Sequence, residues 1–222
     1  MNPSNWRAYL VTQESLSEGR STLEIVRSAI EGGIDVVQLR EKETSARSRY
    51  ELGLELRELT ADADVDLIVN DRVDIARAID ADGVHVGQTD LPVTVARELL
   101  GPEAVIGCSA STVEEAVEAE ADGADYLGVG SVYGTTSKNV PADEEGIGPE
   151  RIAAIADAVS IPIVGIGGIT ADNAGPVAEA GAAGVAVVSD ITAADDPTAA
   201  TEELVSAVET AKVLEDAEDT ER

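Results

Sequence analysis

Short aliphatic runs alternate with amphipathic stretches along nearly the whole chain, and this alternation restricts the available folds more than any other feature. Runs at 8–11, 36–39, 67–69, 84–86, 105–106, 126–129, 163–166 and 185–188 read as strands. Stretches at 22–31, 45–61, 74–79, 93–100, 113–121, 149–158, 171–180 and 198–211 read as helices. Strand followed by helix, eight times over, calls for a parallel sheet with helices outside it. The chain has no Phe, one Trp and four Tyr. Its core must therefore be built from Val, Ile, Leu and Ala, which suit strands buried on both faces.

A weak internal repeat supports the same architecture. Gly33-Ile34-Asp35, Gly123-Ala124-Asp125 and Gly181-Ala182-Ala183 each follow a helix and lead into a strand, and Asp82-Gly83-Val84 is a shorter relative. Glycine there takes the left-handed turn that ends a helix. No GxGxxG follows the first strand, which counts against a dinucleotide-binding sheet. The expectation is a single (β/α)8 TIM barrel over 1–213, with 214–222 as an acidic, flexible tail. The polar segment 130–148 is long for a barrel connection and reads as a functional loop or lid.

Charge narrows the partners. Fifteen basic residues against 44 acidic ones leave a net charge of −29. That sign is wrong for nucleic acid and for an anionic membrane surface. The acids are spread through the helices, a surface that repels itself unless salt screens it, so a halophilic cytosol is expected. A single cysteine, Cys108, excludes an intrachain disulfide and fits a reducing compartment. With no membrane-length apolar run and no signal-peptide core, a cytoplasmic location is expected. Whether the protein is a homo-oligomer stays open.

Polar residues gather at the predicted strand C-termini, which in a parallel barrel share one face. They include Gln38, Arg40 and Lys42 after the second strand, Asn70 and Asp71 after the third, and Asp90 after the fourth. Ser109 follows the fifth, Thr135, Ser137 and Lys138 the sixth, Gly168 the seventh, and Val188 and Ser189 the eighth. Only three lysines remain in the chain, and two of them, Lys42 and Lys138, fall at or just beyond strand ends, where an ammonium suits phosphate. Lys212 reads instead as a cation near a helix C-terminus. The glycine turn 165–169 can bring backbone N–H groups close to an anion. Asp71 and Asp90 can hold one hard cation such as Mg2+, or can cap the helices that follow them. His85 is open between a structural and a catalytic role, Cys108 reads as a small buried residue, and Trp6 as packing at the start of the barrel.

Taken in order, the stretches 38–42, 70–71, 85–90, 107–109, 135–138, 165–169 and 188–189 resemble the thiamine phosphate synthase family. The resemblance implies a transferase that joins 4-amino-2-methyl-5-hydroxymethylpyrimidine diphosphate to a thiazole phosphate, giving thiamine phosphate and diphosphate. It implies that Asp71 and Asp90 bind magnesium. Arg40, Lys42, Asn70, Ser109 and Lys138 would hold the diphosphate, with Arg40, Lys42, Ser109 and Lys138 as the catalytic set. Gln38 would lie against the pyrimidine. Thr135 and Ser137 would contact the thiazole phosphate, and Gly168, Val188 and Ser189 would complete its cradle. The chain departs from the family's usual pattern at Ser131, Gly134, Ser137 and Asp190. An anion at Asp190 is compatible with a phosphate at Ser189 only if it points away. Competing readings are a thiazole tautomerase, another phosphate-binding barrel such as a sugar-phosphate isomerase or a tryptophan-pathway enzyme, and a non-catalytic binder of thiamine precursors.

Overall fold

The computed structural model describes residues 2–134 and 146–220, with side chains to 213. Eight parallel strands close into a barrel in sequence order. They are β1 (Ala8–Val11), β2 (Val36–Leu39), β3 (Asp66–Asn70), β4 (Gly83–Val86), β5 (Val105–Ala110), β6 (Tyr126–Gly130), β7 (Ile163–Ile166) and β8 (Gly184–Val187). The barrel shuts where β8 pairs with β1, Ala8 opposite Val185 and Leu10 opposite Val187. Around it run α1 (Thr22–Glu31), α2 (Ala46–Asp62), α3 (Val73–Ala78), α4 (Val93–Leu100), α5 (Val113–Ala121), α6 (Gly148–Ala156), α7 (Gly175–Glu179), the single turn α8 (Ser189–Thr192) and α9 (Pro197–Thr220). Ser21 with Glu24 and Thr112 with Glu115 form reciprocal caps at the starts of α1 and α5. Among the described residues no helix is long and apolar enough to cross a membrane.

Strand alternation sorts the aliphatic side chains into two cores. Leu10, Val37, Leu39, Val69, Val84, Val86, Ile106 and Leu127 face the helices. Tyr9, Val11, Val36, Ile68, Val105, Tyr126, Val164 and Ala186 fill the barrel, together with Trp6. The Trp6 ring meets Tyr9 and Tyr126 edge-on, with centroids 5.7 and 4.9 Å away, and its indole N–H donates to Asp66 at 2.7 Å. The expected packing role of Trp6 is thus what the structure shows. Cys108 has the outward parity and faces the helices, where burial pushes its thiol pKa up to about 11. It is a packing residue, not a nucleophile.

The repeats have a structural job at the strand N-termini. Gly33, Gly123 and Gly181 all have positive φ and end their helices. Asp35 then accepts from the Ala8 N–H, Asp82 from the Leu67 N–H and Asp125 from the Ile106 N–H, each stitching one strand to its neighbour. Each also pairs with an arginine, Arg7, Arg57 or Arg97, at 2.6–2.7 Å. Asp82→Ala strands a buried N–H and the Arg57 charge, so urea unfolding should show a loss of about 1–3 kcal/mol; an unchanged midpoint would discount the stitch.

Two helices depart from the sequence expectation. Residues 171–174 do not join α7, because the Asn173 side chain accepts from the Thr170 N–H at 2.8 Å and Pro176 sits in the first turn. At the other end α9 continues to Thr220, across most of the stretch expected as a tail. Lys212 is therefore inside the helix rather than at its end, and it bonds the Ala183 carbonyl in front of β8, which replaces the helix-end account. Arg7 adds a second tie, pairing with Glu209 of the same helix.

The acids cover the outer helix faces: Glu51, Glu55 and Glu58 on α2, Glu114 and Glu118 on α5, and Glu202, Glu203 and Glu209 on α9 are exposed. The screening length falls from about 30 Å at 0.01 M salt to about 3 Å at 1 M. Thermal melts should show the midpoint falling by at least about 5 °C, roughly 1–2 kcal/mol, when salt is lowered from 1 M to 0.01 M. A protein equally stable at low salt would show that this charge carries no folding penalty.

Candidate active site

The strand C-termini open into a cavity of about 1120 Å3. Gln38, Arg40, Lys42, Asn70, Asp71, Asp90, Ser109, Gly168, Val188 and Ser189, drawn from six strands or the loops after them, all line it. Thr135, Ser137 and Lys138 lie outside the described residues, as does the middle of the expected lid. The stems of that loop are pinned: Val132 and Tyr133 donate to the carbonyls of Ile166 and Gly167, and Ile147 donates to Ser131.

Parity explains the convergence. Gln38, Asn70 and Ser109 share the inward alternation of Val36, Ile68 and Val105 on their own strands, and His85 lies between the outward Val84 and Val86. Arg40 continues that alternation past β2 and is buried to 9% exposure. Its backbone N–H is held by Thr12 and its Nη1 by Gln13 at 2.8 Å. Arg40 Nε and Asn70 Nδ2 are buried and have no hydrogen-bond partner among the described residues. Buried donors of this kind cost about 1–3 kcal/mol each, so a site that keeps them is built for an acceptor. Burial pulls the Arg40 guanidinium below its ordinary pKa, while the Asp71 and Glu41 charges push it up; an arginine so placed stays cationic.

Two carboxylates stand beside this cationic group. Asp71 sits at a positive φ of 62°, a conformation Asp tolerates better than most residues. Its Oδ2 is 3.1 Å from Lys42 Nζ. The Asp90 carboxylate accepts from the Gly87 N–H at 2.7 Å. Its pKa is raised, first by burial and then by the Asp71 charge against it. Neither side chain caps a helix: α3 is preceded by Arg72 and α4 by Pro92, without a capping bond at either. Among the described residues no group of three or more metal-ligating side chains gathers. Two close carboxylates suit a hard cation that takes its other oxygens from substrate and water.

The opposite wall is backbone. Gly167 and Gly168 have φ of 107° and 65°, and a Cβ on Gly168 would lie 2.4 Å from the Gly134 carbonyl. Only glycine fits so tight a turn at that φ. Asp190 is half-buried, takes a hydrogen bond from the backbone at Ala171 and does not line the cavity, so it points away from Ser189.

Sequence reasoning left His85 open and did not single out Tyr9 or Tyr126. All three line the cavity. Their signal was inward parity, which makes a polar atom on a short aliphatic strand face the barrel interior.

The family model described as thiamine monophosphate synthase matches residues 8–191. A thiamine-phosphate synthase of Haloarcula marismortui is 64% identical over 94% of this chain and 99% of its own length. One of Natronomonas pharaonis is 62% identical over 90% of this chain and 94% of its own. A solved thiamine phosphate pyrophosphorylase from Pyrococcus furiosus superposes with a TM-score of 0.86 at 44% identity, covering 95% of this chain and 99% of that one. With a family model across most of the barrel and relatives this similar over nearly their full lengths, the chain belongs to the thiamine monophosphate synthase family.

Proposed function

We propose that the barrel joins 4-amino-2-methyl-5-hydroxymethylpyrimidine diphosphate to a thiazole phosphate, releasing diphosphate and forming thiamine phosphate. The observation that carries this reading is the single cavity in which Arg40, Lys42, Asn70 and Ser109 face a carboxylate pair across from the Gly167-Gly168 turn. That is a place for one diphosphate and a second, smaller phosphate.

Breaking the pyrimidine CH2–O bond leaves negative charge on the departing diphosphate. Arg40, Lys42, Asn70 and Ser109, together with Lys138, hold that charge, and cations and donors held in place stabilise it better than water would. Asp71 and Asp90 would hold magnesium, which when bound supplies further positive charge to the diphosphate oxygens. Gln38 lies against the aminopyrimidine, whose electron-rich ring supports the carbocation that the thiazole nitrogen captures. Thr135 and Ser137, with the backbone of Gly168, Val188 and Ser189, hold the thiazole phosphate on the facing wall. Water would intercept the cation, so the segment 130–148 serves as the lid that excludes it. No protein nucleophile is needed, which agrees with the inert Cys108. The presence of the whole diphosphate and carboxylate group favours the synthase over a tautomerase, which would need only the thiazole wall. We place the protein in the cytoplasm, where a lone buried thiol stays reduced.

A coupled assay tests the reading directly. Both substrates with magnesium should give stoichiometric thiamine phosphate and diphosphate, and chelation should suppress the rate by at least about tenfold. Product formation that ignores magnesium would remove the metal from the mechanism, and no product with magnesium would refute the condensation itself.

A further inference from the structure

Across the floor of the cavity, five side chains from five strands form one unbroken hydrogen-bonded chain. Gln38 Nε2 donates to the Tyr9 hydroxyl at 2.7 Å. The Tyr9 and Tyr126 hydroxyls are 3.0 Å apart, and the Tyr126 hydroxyl is 3.0 Å from His85 Nδ1. His85 Nε2 lies 2.9 Å from Ser109 Oγ. The barrel register makes room for this chain. Gly107 stands level with both His85 and Tyr126, and a Cβ there would be 2.2 Å from the tyrosine ring and 2.5 Å from Nδ1. A Cβ on Gly128 would be 2.7 Å from the imidazole.

Donor counting gives the chain a direction. An amide nitrogen only donates, so the Tyr9 oxygen accepts from Gln38 and its single proton goes on to Tyr126. Tyr126 then donates to Nδ1. A neutral imidazole that accepts at Nδ1 carries its proton on Nε2 and donates to Ser109. The Ser109 proton is left for the cavity. At the far end Gln38 Oε1 is left as an acceptor. With the amide turned over, every proton reverses: Ser109 spends its proton on His85, and Gln38 presents a donor. Phosphate oxygens accept and an amino group donates, so only the first direction serves both ends of an aminopyrimidine diphosphate. Burial raises the pKa of both tyrosines, which keeps their hydroxyls protonated.

We infer that His85, Tyr126 and Tyr9 are positioning residues that fix this polarity, holding Ser109 as a donor to a diphosphate oxygen and Gln38 as an acceptor for the ring amine. The inference rests on the assignment of Ser109 and Gln38 to that substrate.

His85 is the only histidine in the chain, so 15N NMR of the untagged protein reads its tautomer without ambiguity. A neutral ring protonated at Nε2 is expected; protonation at Nδ1 overturns the inference. Tyr126→Phe should release the ring from a single tautomer, and an unchanged spectrum counts against the relay. In kinetics, His85→Asn should lower kcat/KM for the pyrimidine diphosphate by about tenfold and leave KM for the thiazole phosphate unchanged. Combined with Ser109→Ala, it should add no more than about twofold to the loss from Ser109→Ala alone. Additive losses, or a His85→Asn enzyme at full rate, overturn the relay while leaving the substrate assignment intact. Full activity in Ser109→Ala alone overturns that assignment, and the relay with it.

Discussion

Arg40→Ala should lower kcat/KM for the pyrimidine diphosphate by about 100-fold, roughly 2.7 kcal/mol of barrier. The guanidinium is the most deeply buried cation at the cavity, fixed by Thr12 and Gln13, with Nε still in want of an acceptor. A charge taken out of water and held still costs no reorganisation when the leaving group becomes anionic, which is why its removal is expensive. Lysine cannot reproduce the planar fork, so Arg40→Lys should recover only a small part of the rate. Burial already works against the cation in the folded protein, so the melting temperature of Arg40→Ala should hold while the rate collapses. Steady-state kinetics with each substrate varied separates the cases. A loss confined to the thiazole phosphate would move Arg40 to the other wall.

Asp71→Asn comes next, with a loss of at least about tenfold in turnover, roughly 1.4 kcal/mol. The asparagine keeps the shape and the positive-φ tolerance of the position but gives up the charge. Lys42 loses the carboxylate now 3.1 Å away, and Asp90 loses the neighbour that raises its pKa. One carboxylate then remains where two suited a divalent cation. The magnesium concentration for half-maximal rate should rise with the loss in turnover, and a titration measures both. A variant with wild-type turnover and an unchanged magnesium curve would take Asp71 out of the metal site.

What could be read from the chain without coordinates divides along physical lines. The barrel was legible because aliphatic strands alternate with amphipathic helices, a local pattern that survives without knowledge of contacts. Arg40, Asn70, Asp71 and Ser109 were legible because charged and amide groups at the end of an aliphatic strand have no core to serve. His85 and Tyr126 were not, because their meaning lies in register. Only the pairing of β4, β5 and β6 puts Gly107 between them and turns an isolated histidine into a link. The stitching role of Asp35, Asp82 and Asp125 was hidden for the same reason. The repeat was visible, but the strand N–H that each aspartate accepts belongs to a distant segment. The length of α7 was misjudged because Asn173 competes for the backbone with its own side chain.

The tie between Arg7 and Glu209 spans 202 positions, and it flanks the seam where the first strand meets the last. A ribosome must therefore deliver almost the entire polypeptide before the sheet can shut. Throughout elongation the first strand waits with an aliphatic edge unpaired, the circumstance in which nascent chains stick to one another. The acidic helices emerging beside it give neighbouring half-made barrels a reason to stay apart, so the charge that burdens the finished molecule protects the unfinished one.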